Sequence, residues 1–250
     1  MTNKLKYFIG NWKMFGDLGS IKIIFRINRF LNTFKKRNKV VLCVPNTLIH
    51  YFTKKIKSKN IFIGAQNCHQ YKNYGAFTGS VNALMLKNAG AKFIILGHSE
   101  NRSDGDTNHI INKKIESALK QKINIIFCIG ETIREKNKGK TFSVLRNQIK
   151  GSINKIYNPN KIIIAYEPIW SIGTGKIPKA FELRKIFKFI KSEFKKIYKK
   201  KSFPKVLYGG SVNDKNIRFF SSIYDIDGFL IGASSQSSKK FIDIIKNYYK

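Results

Sequence analysis

Short apolar runs alternate with longer segments of mixed polarity along the whole chain. Eight of these runs predict buried β-strands, at residues 7–11, 40–44, 61–65, 93–96, 123–128, 162–166, 206–208 and 229–231. Between most of them, apolar residues recur every three or four positions, which predicts helices at residues 18–31, 47–56, 110–119, 142–156, 181–198, 214–220 and 239–248. Continuous apolar strands separated by helices are typical of a parallel sheet that is buried on both faces.

This alternation predicts an α/β fold, the (β/α)8 barrel, in which eight parallel strands close inside a ring of helices. The chain of 250 residues has the usual length of one such barrel, so we expect residues 1–250 to form a single domain. An open, doubly wound sheet is the alternative. The first strand is not followed by a GxGxxG turn, which weakens a dinucleotide-binding version of that alternative.

The charge of the chain is its most unusual property. Lys and Arg outnumber Asp and Glu by 48 to 14, which gives a net charge of +34. Because the lysines occur on nearly every predicted helix, as in Lys113-Lys114 and Lys199-Lys200-Lys201, we interpret them as a solvated surface rather than a nucleic-acid motif. We therefore expect no specific nucleic-acid partner, although such a field attracts small anions.

We expect no export signal, membrane span or metal site in this chain. No apolar run approaches the roughly 18 residues of a membrane span, and no small-residue cleavage site follows the amino terminus. The cysteines, Cys43, Cys68 and Cys128, show no CxxC spacing, which favours a reducing, cytoplasmic location over disulfide or zinc sites. Cys43 and Cys128 end apolar runs, where a thiol usually acts as a small buried apolar group.

Polar residues collect just beyond the carboxyl ends of the predicted strands. In a (β/α)8 barrel those ends form the rim at which catalytic residues lie. The candidates, in chain order, are Asn11, Lys13, His98, Glu100, Glu167, Gly209, Gly210, Ser211, Gly232, Ala233 and Ser234. Each one alone has an ordinary explanation, such as a solvated Lys or a structural His. Their joint placement at one rim predicts a catalytic site.

Glu167 stands at the end of the sixth strand, and a distinctive segment follows it. This segment combines a proline, apolar residues and two glycines: Pro168, Ile169, Trp170, Ile172, Gly173, Thr174, Gly175 and Lys176. We interpret residues 168–176 as a lid hinged beside a catalytic acid or base. The alternative is an ordinary strand-to-helix loop with a solvated Glu.

Five blocks of sequence together resemble the triosephosphate isomerase family. They are Gly10-Asn11-Trp12-Lys13-Met14, Gly75-Ala76-Phe77-Thr78-Gly79, Gly97-His98-Ser99-Glu100, the segment from Ala165 to Lys176, and Tyr208-Gly209-Gly210-Ser211-Val212. They span the chain in the family's order and at its approximate spacing. The resemblance implies a TIM barrel and an isomerase of glycolysis and gluconeogenesis that interconverts dihydroxyacetone phosphate and D-glyceraldehyde 3-phosphate without a metal or an organic cofactor.

The resemblance also implies a catalytic role for five residues. Glu167 would be the base that moves a proton between two adjacent carbons, and His98 the neutral electrophile at the carbonyl oxygen. Lys13 and Asn11 would contact the substrate and stabilise the enediolate, while Glu100 would orient Lys13.

The same resemblance implies a phosphate site and a closing lid. Backbone N–H groups would bind the phosphate at Gly173, Ser211, Gly232 and Ala233. Ile172 and Leu230 would clamp over the carboxylate of Glu167 and raise its basicity by desolvation. Lid closure would keep water from the enediol phosphate, which can otherwise eliminate its phosphate.

Three residues depart from the family's pattern. Ala233 stands where the family usually has a second Gly, and it would strain the loop if that position needs a positive φ angle. Pro178 replaces a small residue at the lid exit, so we expect a stiffer hinge. Phe15 replaces the polar residue that is common after Met14.

The resemblance further implies a homodimer. The loop of residues 66–79, from Gln66 to Gly79, would enter the neighbouring subunit, with Thr78 reaching the rim at the neighbour's first strand. The Glu and Arg that can pair across the family's interface are here Ser80 and Asn101, so neither charge is left without its partner.

Three other functions stay open on the sequence alone. They are a nucleic-acid-binding protein built on a barrel, a catalytically weakened barrel retained as an interaction protein, and a different phosphate-binding barrel enzyme. The charge favours the first and Ala233 and Pro178 favour the second. Lys13, His98 and Glu167 argue against the second.

Overall fold

Eight parallel strands close into a barrel in the computed structural model of the chain, which describes residues 4–198 and 204–250. The strands are Lys6–Asn11 (β1), Asn38–Cys43 (β2), Ile61–Ala65 (β3), Phe93–Leu96 (β4), Asn124–Ile129 (β5), Ile162–Tyr166 (β6), Lys205–Tyr208 (β7) and Gly228–Ile231 (β8). Each strand pairs with the next, and β8 pairs back with β1 in a register that places Phe229 opposite Phe8. This closure confirms the predicted barrel and excludes the open sheet.

The α-helices form the outer layer. They are Ile21–Thr33 (α1), Asn46–Lys55 (α2), Ala83–Asn88 (α3), Ser99–Ser103 (α4), Asn108–Lys120 (α5), Ile133–Asn137 (α6), Thr141–Ser152 (α7), Ala180–Tyr198 (α8), Ile217–Ser221 (α9) and Ser238–Tyr248 (α10). Short 3-10 helices lie at Leu18–Ser20, Pro159–Lys161, Ile169–Ser171 and Ala233–Gln236. The long helices turn one apolar face inward: α1, for example, buries Ile21, Ile24, Ile27 and Leu31.

Apolar side chains fill the barrel interior and the layer between strands and helices. Residues on alternate strand positions point inward, among them Ile9, Val41 and Leu207, while their neighbours pack against the helices. Cys43 and Cys128 lie in the interior cluster as free thiols, which confirms their predicted apolar role. Burial raises the pKa of both thiols, and it raises the pKa of Cys68 to about 12.

Two predicted helices are shorter in the structure, and three short helices were not predicted. The helix predicted at residues 214–220 begins at Ile217. The helix predicted at residues 142–156 ends at Ser152, because Ile153 already has an extended backbone. The sequence also gave no signal for α3, α4 and α6, which are too short to show a full apolar period. Each of these helices begins at a side chain that accepts a hydrogen bond from a backbone N–H of the first turn, namely Asn82, His98 and Thr132.

Most of the described lysines lie on the solvent side of the fold, but Lys6 and Lys114 are buried. Lys114 corrects the prediction that the pair Lys113-Lys114 is solvated. Its Nζ atom lies 2.7 Å from both carboxylate oxygens of Asp106 and 3.0 Å from Oδ1 of Asn67, which compensate its burial. The predicted cluster Lys199-Lys200-Lys201 lies outside the described residues. In the part of the chain described, no helix combines the length and the apolar character needed to cross a membrane.

Candidate active site

The predicted rim residues surround a cavity of about 240 Å³ at the carboxyl ends of the strands. Its lining includes Asn11, Lys13, His98, Glu167, Ile172, Gly173, Ser211, Leu230, Gly232, Ala233 and Ser234. Glu100 is not part of the lining, but its carboxylate forms an ion pair with Nζ of Lys13. The fold therefore brings the predicted catalytic and phosphate-site residues into one place.

Glu167 is the buried carboxylate of this cavity. Its Oε1 atom lies 3.5 Å from Nε2 of His98, and both side chains are about 5% exposed. Its Oε2 atom is buried without a conventional hydrogen-bond partner among the described residues, and the weakly acidic thiol of Cys128 lies beside the carboxylate. Burial raises the pKa of Glu167, and its neighbours His98, Cys128 and Lys13 only partly oppose this shift.

His98 ends the loop after β4 and caps the first turn of α4. Its Nδ1 atom accepts a hydrogen bond from the backbone N–H of Glu100 at 3.2 Å. A nitrogen that accepts this bond carries no proton, so the neutral ring has its proton on Nε2. That N–H points to the side of the ring on which Glu167 lies.

Lys13 is held in an uncommon backbone conformation. Its φ angle is +55°, in the left-handed region that residues other than Gly rarely adopt. Oδ1 of Asn11 accepts a hydrogen bond from the Lys13 N–H at 3.1 Å, and the Lys13 carbonyl accepts one from Nε2 of Gln66 at 2.9 Å. These bonds and the ion pair with Glu100 fix the ammonium group at the cavity wall.

The turns after β7 and β8 bring backbone close to the cavity. At Gly209, an added Cβ atom would lie 2.6 Å from Cγ of Glu167, so only glycine leaves room for the carboxylate. Ala233 does not have a positive φ angle and begins the 3-10 helix Ala233–Gln236. The condition for strain at Ala233 is therefore not met, because this position does not need a glycine conformation.

The predicted lid, residues 168–176, is anchored near its amino-terminal end and exposed at its tip. Nε1 of Trp170 donates to Oε1 of Glu131 at 2.9 Å, and Oγ of Ser171 shares a hydrogen bond of 2.9 Å with the hydroxyl of Tyr208. The Ser211 N–H donates to the same Ser171 oxygen at 3.2 Å. Closely spaced bonds thus connect the base of the lid to the turn that follows β7.

Sequence reasoning missed the two anchors of the lid, Glu131 and Tyr208. Glu131 is buried, and the hydroxyl of Tyr166 lies 3.1 Å from both of its carboxylate oxygens. Burial raises the pKa of this carboxyl, with the bonds from Trp170 and Tyr166 opposing the shift. An acidic residue at the carboxyl end of β5 was the available signal for Glu131. Tyr208 ends β7 inside one of the family blocks, but nothing in the sequence pairs it with the lid.

The fold and this cavity define an enzyme of the (β/α)8-barrel class, with its site at the carboxyl ends of the strands. The triosephosphate isomerase family model matches residues 6–248. The chain belongs to the triosephosphate isomerase family, and it is an isomerase.

Relatives across distant organisms agree with this assignment. The chain is 40% identical over 247 residues to the triosephosphate isomerase of Mycoplasma mobile, covering 96% of this chain and 99% of that protein. It is 38% identical over 248 residues to the one from Borreliella burgdorferi, with 96% and 98% covered. The crystal structure of triosephosphate isomerase from Bartonella henselae superimposes with a TM-score of 0.89 at 32% identity, covering 98% of this chain and 99% of that chain.

Proposed function

We propose that this enzyme interconverts dihydroxyacetone phosphate and D-glyceraldehyde 3-phosphate by proton transfer through an enediolate, as a step of glycolysis and gluconeogenesis. The observation that carries the proposal is the separation of 3.5 Å between the buried carboxylate of Glu167 and Nε2 of His98. A base and a hydrogen-bond donor so close together act on neighbouring atoms of one small substrate, a carbon and the adjacent carbonyl oxygen. The two compounds that this shift interconverts are both triose phosphates.

Glu167 is the base. Its carboxylate removes a proton from the carbon beside the carbonyl and returns that proton to the neighbouring carbon, which converts the ketose to the aldose. Its raised pKa makes it a stronger base than a solvated carboxylate. Ile172 and Leu230 both line the cavity and supply the apolar cover that keeps water from the base.

His98 is the electrophile. From Nε2 it donates to the carbonyl oxygen while the adjacent carbon loses its proton, and it then moves protons between the two oxygens of the enediol. A neutral histidine in this role is an established property of the family. The bond from the Glu100 N–H to Nδ1 supports the required tautomer.

Lys13 and Asn11 stabilise the negative charge that develops on the substrate oxygens. Both groups are fixed before the substrate arrives, so the charge meets donors that need no rearrangement. Glu100 positions Lys13 through their ion pair. Every proton transfer in this scheme has a protein group assigned to it, so the scheme uses no cofactor.

The phosphate binds in the same cavity. Gly173, Ser211, Gly232 and Ala233 line it together and supply backbone N–H groups, that of Ser211 by exchanging its bond to Oγ of Ser171 for one to the phosphate. Gly173 belongs to the lid, so a bound phosphate holds the lid over the intermediate and protects it from elimination. Pro178 follows the lid and is buried, which supports the expected stiffer hinge.

The functional unit is a homodimer formed through the loop of residues 66–79. Apolar side chains stand exposed on this loop and beside it, with Tyr74 at 69% and Met14 at 100% exposure. Gln66 ties the start of the loop to the Lys13 carbonyl, so the two exposed segments are neighbours. A shared apolar surface of this kind is typical of an interface between subunits. The enzyme acts as a single-domain protein in the cytoplasm.

A coupled assay of dihydroxyacetone phosphate formation tests the proposal. We expect rapid turnover of D-glyceraldehyde 3-phosphate in this assay. Conversion of D-glyceraldehyde to dihydroxyacetone, which carries no phosphate and is followed separately by NMR, should be slow, because the phosphate positions the substrate and closes the lid. Absence of turnover in folded, dimeric protein would contradict the proposal and favour an interaction protein. Equal rates for both aldehydes would contradict the phosphate site.

A further inference from the structure

Acidic residues are distributed much less evenly than basic residues in this chain. Between Asp17 and Glu100 the sequence contains fourteen Lys and Arg residues and no Asp or Glu. This stretch forms α1, β2, α2, β3, α3 and β4. One side of the barrel therefore carries cations without any acidic residue of its own to neutralise them.

Helix α1 presents the most regular row of these cations. Lys22, Arg26 and Arg29 are exposed and follow the i, i+4, i+7 spacing that places side chains on one helix face. Phe25 lies on the same face with 46% exposure. In the described part of the chain, no salt bridge involves these three cations.

Helix α10 extends this surface. Nζ of its Lys246 lies 5.5 Å from the ring centre of Phe30 on α1, and the rings of Phe34 and Tyr249 are 5.7 Å apart, so the two helices are neighbours. Lys239 and Lys240 are also exposed, and Asp243 is the single acidic residue of this helix. We call the exposed cations of both helices the basic face: Lys22, Arg26, Arg29, Lys239, Lys240 and Lys246.

We infer that the basic face is a second binding site on this enzyme, for single-stranded nucleic acid without sequence preference. Exposed cations in a row attract a phosphate backbone, and binding releases the counterions of that backbone. Phe25 and the planar guanidinium groups of Arg26 and Arg29 offer surfaces on which unpaired bases stack.

The same surface fits an anionic membrane and a nucleic-acid duplex less well. A membrane-binding helix inserts an apolar face, whereas the apolar residues Ile24, Ile27 and Leu31 of α1 are buried against the barrel. In a duplex the bases are stacked on each other, so Phe25 would have no partner. The combination of cations with an exposed aromatic ring therefore favours single strands.

The basic face is separate from the isomerase site. None of its six residues lines the cavity around Glu167, and α1 and α10 flank the barrel rather than cover its rim. The proposals of nucleic-acid binding and of isomerase activity can therefore be tested independently. Binding without inhibition of the isomerase is the expected relationship.

Fluorescence anisotropy with an oligouridine of about 20 nucleotides tests this inference, at salt concentrations from about 50 to about 200 mM. The test variant is the triple change Lys22→Glu, Arg26→Glu, Arg29→Glu. Its control is Lys150→Glu, Lys188→Glu, Lys195→Glu on α7 and α8, where these lysines are exposed and the net charge falls by the same amount. Isomerase activity checks the folding of both variants.

We expect the wild-type protein to bind the oligonucleotide and the α1 variant to bind it about tenfold more weakly or worse. The slope of log affinity against log salt should fall by about 2 in that variant, because three phosphate contacts are lost. The control should keep the wild-type slope. Equal weakening in both variants, no binding by the wild type, or stronger binding to duplex or to phosphatidylserine vesicles would each overturn the inference.

Discussion

At the scale of single residues, the site depends on contacts between residues that are far apart in sequence. The identities of Glu167, His98 and Lys13 at strand ends were readable from the sequence, because the strand pattern fixes which residues reach the rim. The close approach of Gly209 to the Glu167 side chain could not be predicted, because these residues come from two different strand ends. Nor was the negative φ angle of Ala233, because a loop conformation depends on the packing around it.

The contact at Gly209 leads to a first prediction. Gly209→Ala should lower kcat about 100-fold, because the new Cβ would lie 2.6 Å from Cγ of Glu167 and displace the carboxylate. Steady-state kinetics of the purified variant measures the effect. The control is Gly19→Ala, where the nearest atom to the added Cβ is 3.4 Å away. A variant at position 209 with wild-type kcat would show that Glu167 has more room than the structure gives it.

The raised pKa of Glu167 predicts how stability depends on pH. A carboxyl whose pKa is higher in the folded state than its ordinary 4.5 stabilises the fold at low pH, and this stabilisation is lost as pH rises through the folded-state pKa. At about pH 8 the buried, ionised carboxylate of Glu167 therefore destabilises the enzyme. Glu167→Gln should raise the Tm there by about 3 °C, and near about pH 4 the gain should disappear.

Thermal unfolding at the two pH values measures this difference. Glu116→Gln, at a partly exposed carboxylate on α5, provides the control and should show no such gain. A gain for Glu167→Gln that is equal at both pH values would mean that packing, rather than charge burial, sets the cost of the carboxylate.

At the scale of elements, the sequence predicted which residues form the lid but not which residues anchor it. Its proline, aromatic and glycine residues follow Glu167 directly, so local sequence carried that signal. Its anchors lie on β7 and at the end of β5, where Tyr208 and Glu131 bond to Ser171 and Trp170. Long-range pairs of this kind leave no periodic pattern in a sequence.

The anchor at Tyr208 gives the prediction at this scale. Tyr208→Phe removes the hydroxyl that bonds to Ser171 and should lower kcat about tenfold, since a lost hydrogen bond at the lid changes the fraction of closed enzyme. Tyr248→Phe on α10 is the matched control, because its buried ring is far from the lid. Comparison of kcat and KM for the two variants measures the effect. Equal, small effects would mean that this bond does not control the lid.

At the scale of the whole molecule, hydrophobic alternation predicted eight parallel strands buried on both faces and favoured the barrel, while the pairing of β8 with β1 in the structure excluded the open sheet. The same pattern could not show that Lys114 is buried, since its partners Asp106 and Asn67 come from separate segments. The pattern of apolar positions also does not predict which surface forms a dimer interface. The exposed apolar surface of the loop at residues 66–79 becomes visible only once the fold is in place.

Assembly supplies a further prediction. Tyr74→Asp should shift the protein from dimer to monomer and lower its activity, because it places a charge in the apolar interface surface. Tyr224→Asp is the control, since Tyr224 is equally exposed, at 70%, and lies outside that loop. Light scattering measures the mass of each protein. An active monomeric wild type would contradict the proposed dimer.

The most direct test of the central claim is the turnover of Glu167→Asp in the coupled assay. This change keeps the carboxylate but withdraws it by about one ångström, so the account predicts a loss in kcat of about 100-fold or more. Glu116→Asp should keep wild-type turnover, because its partly exposed carboxylate pairs with Lys72 on the surface. Wild-type kcat in folded, dimeric Glu167→Asp protein would contradict the assignment of Glu167 as the base.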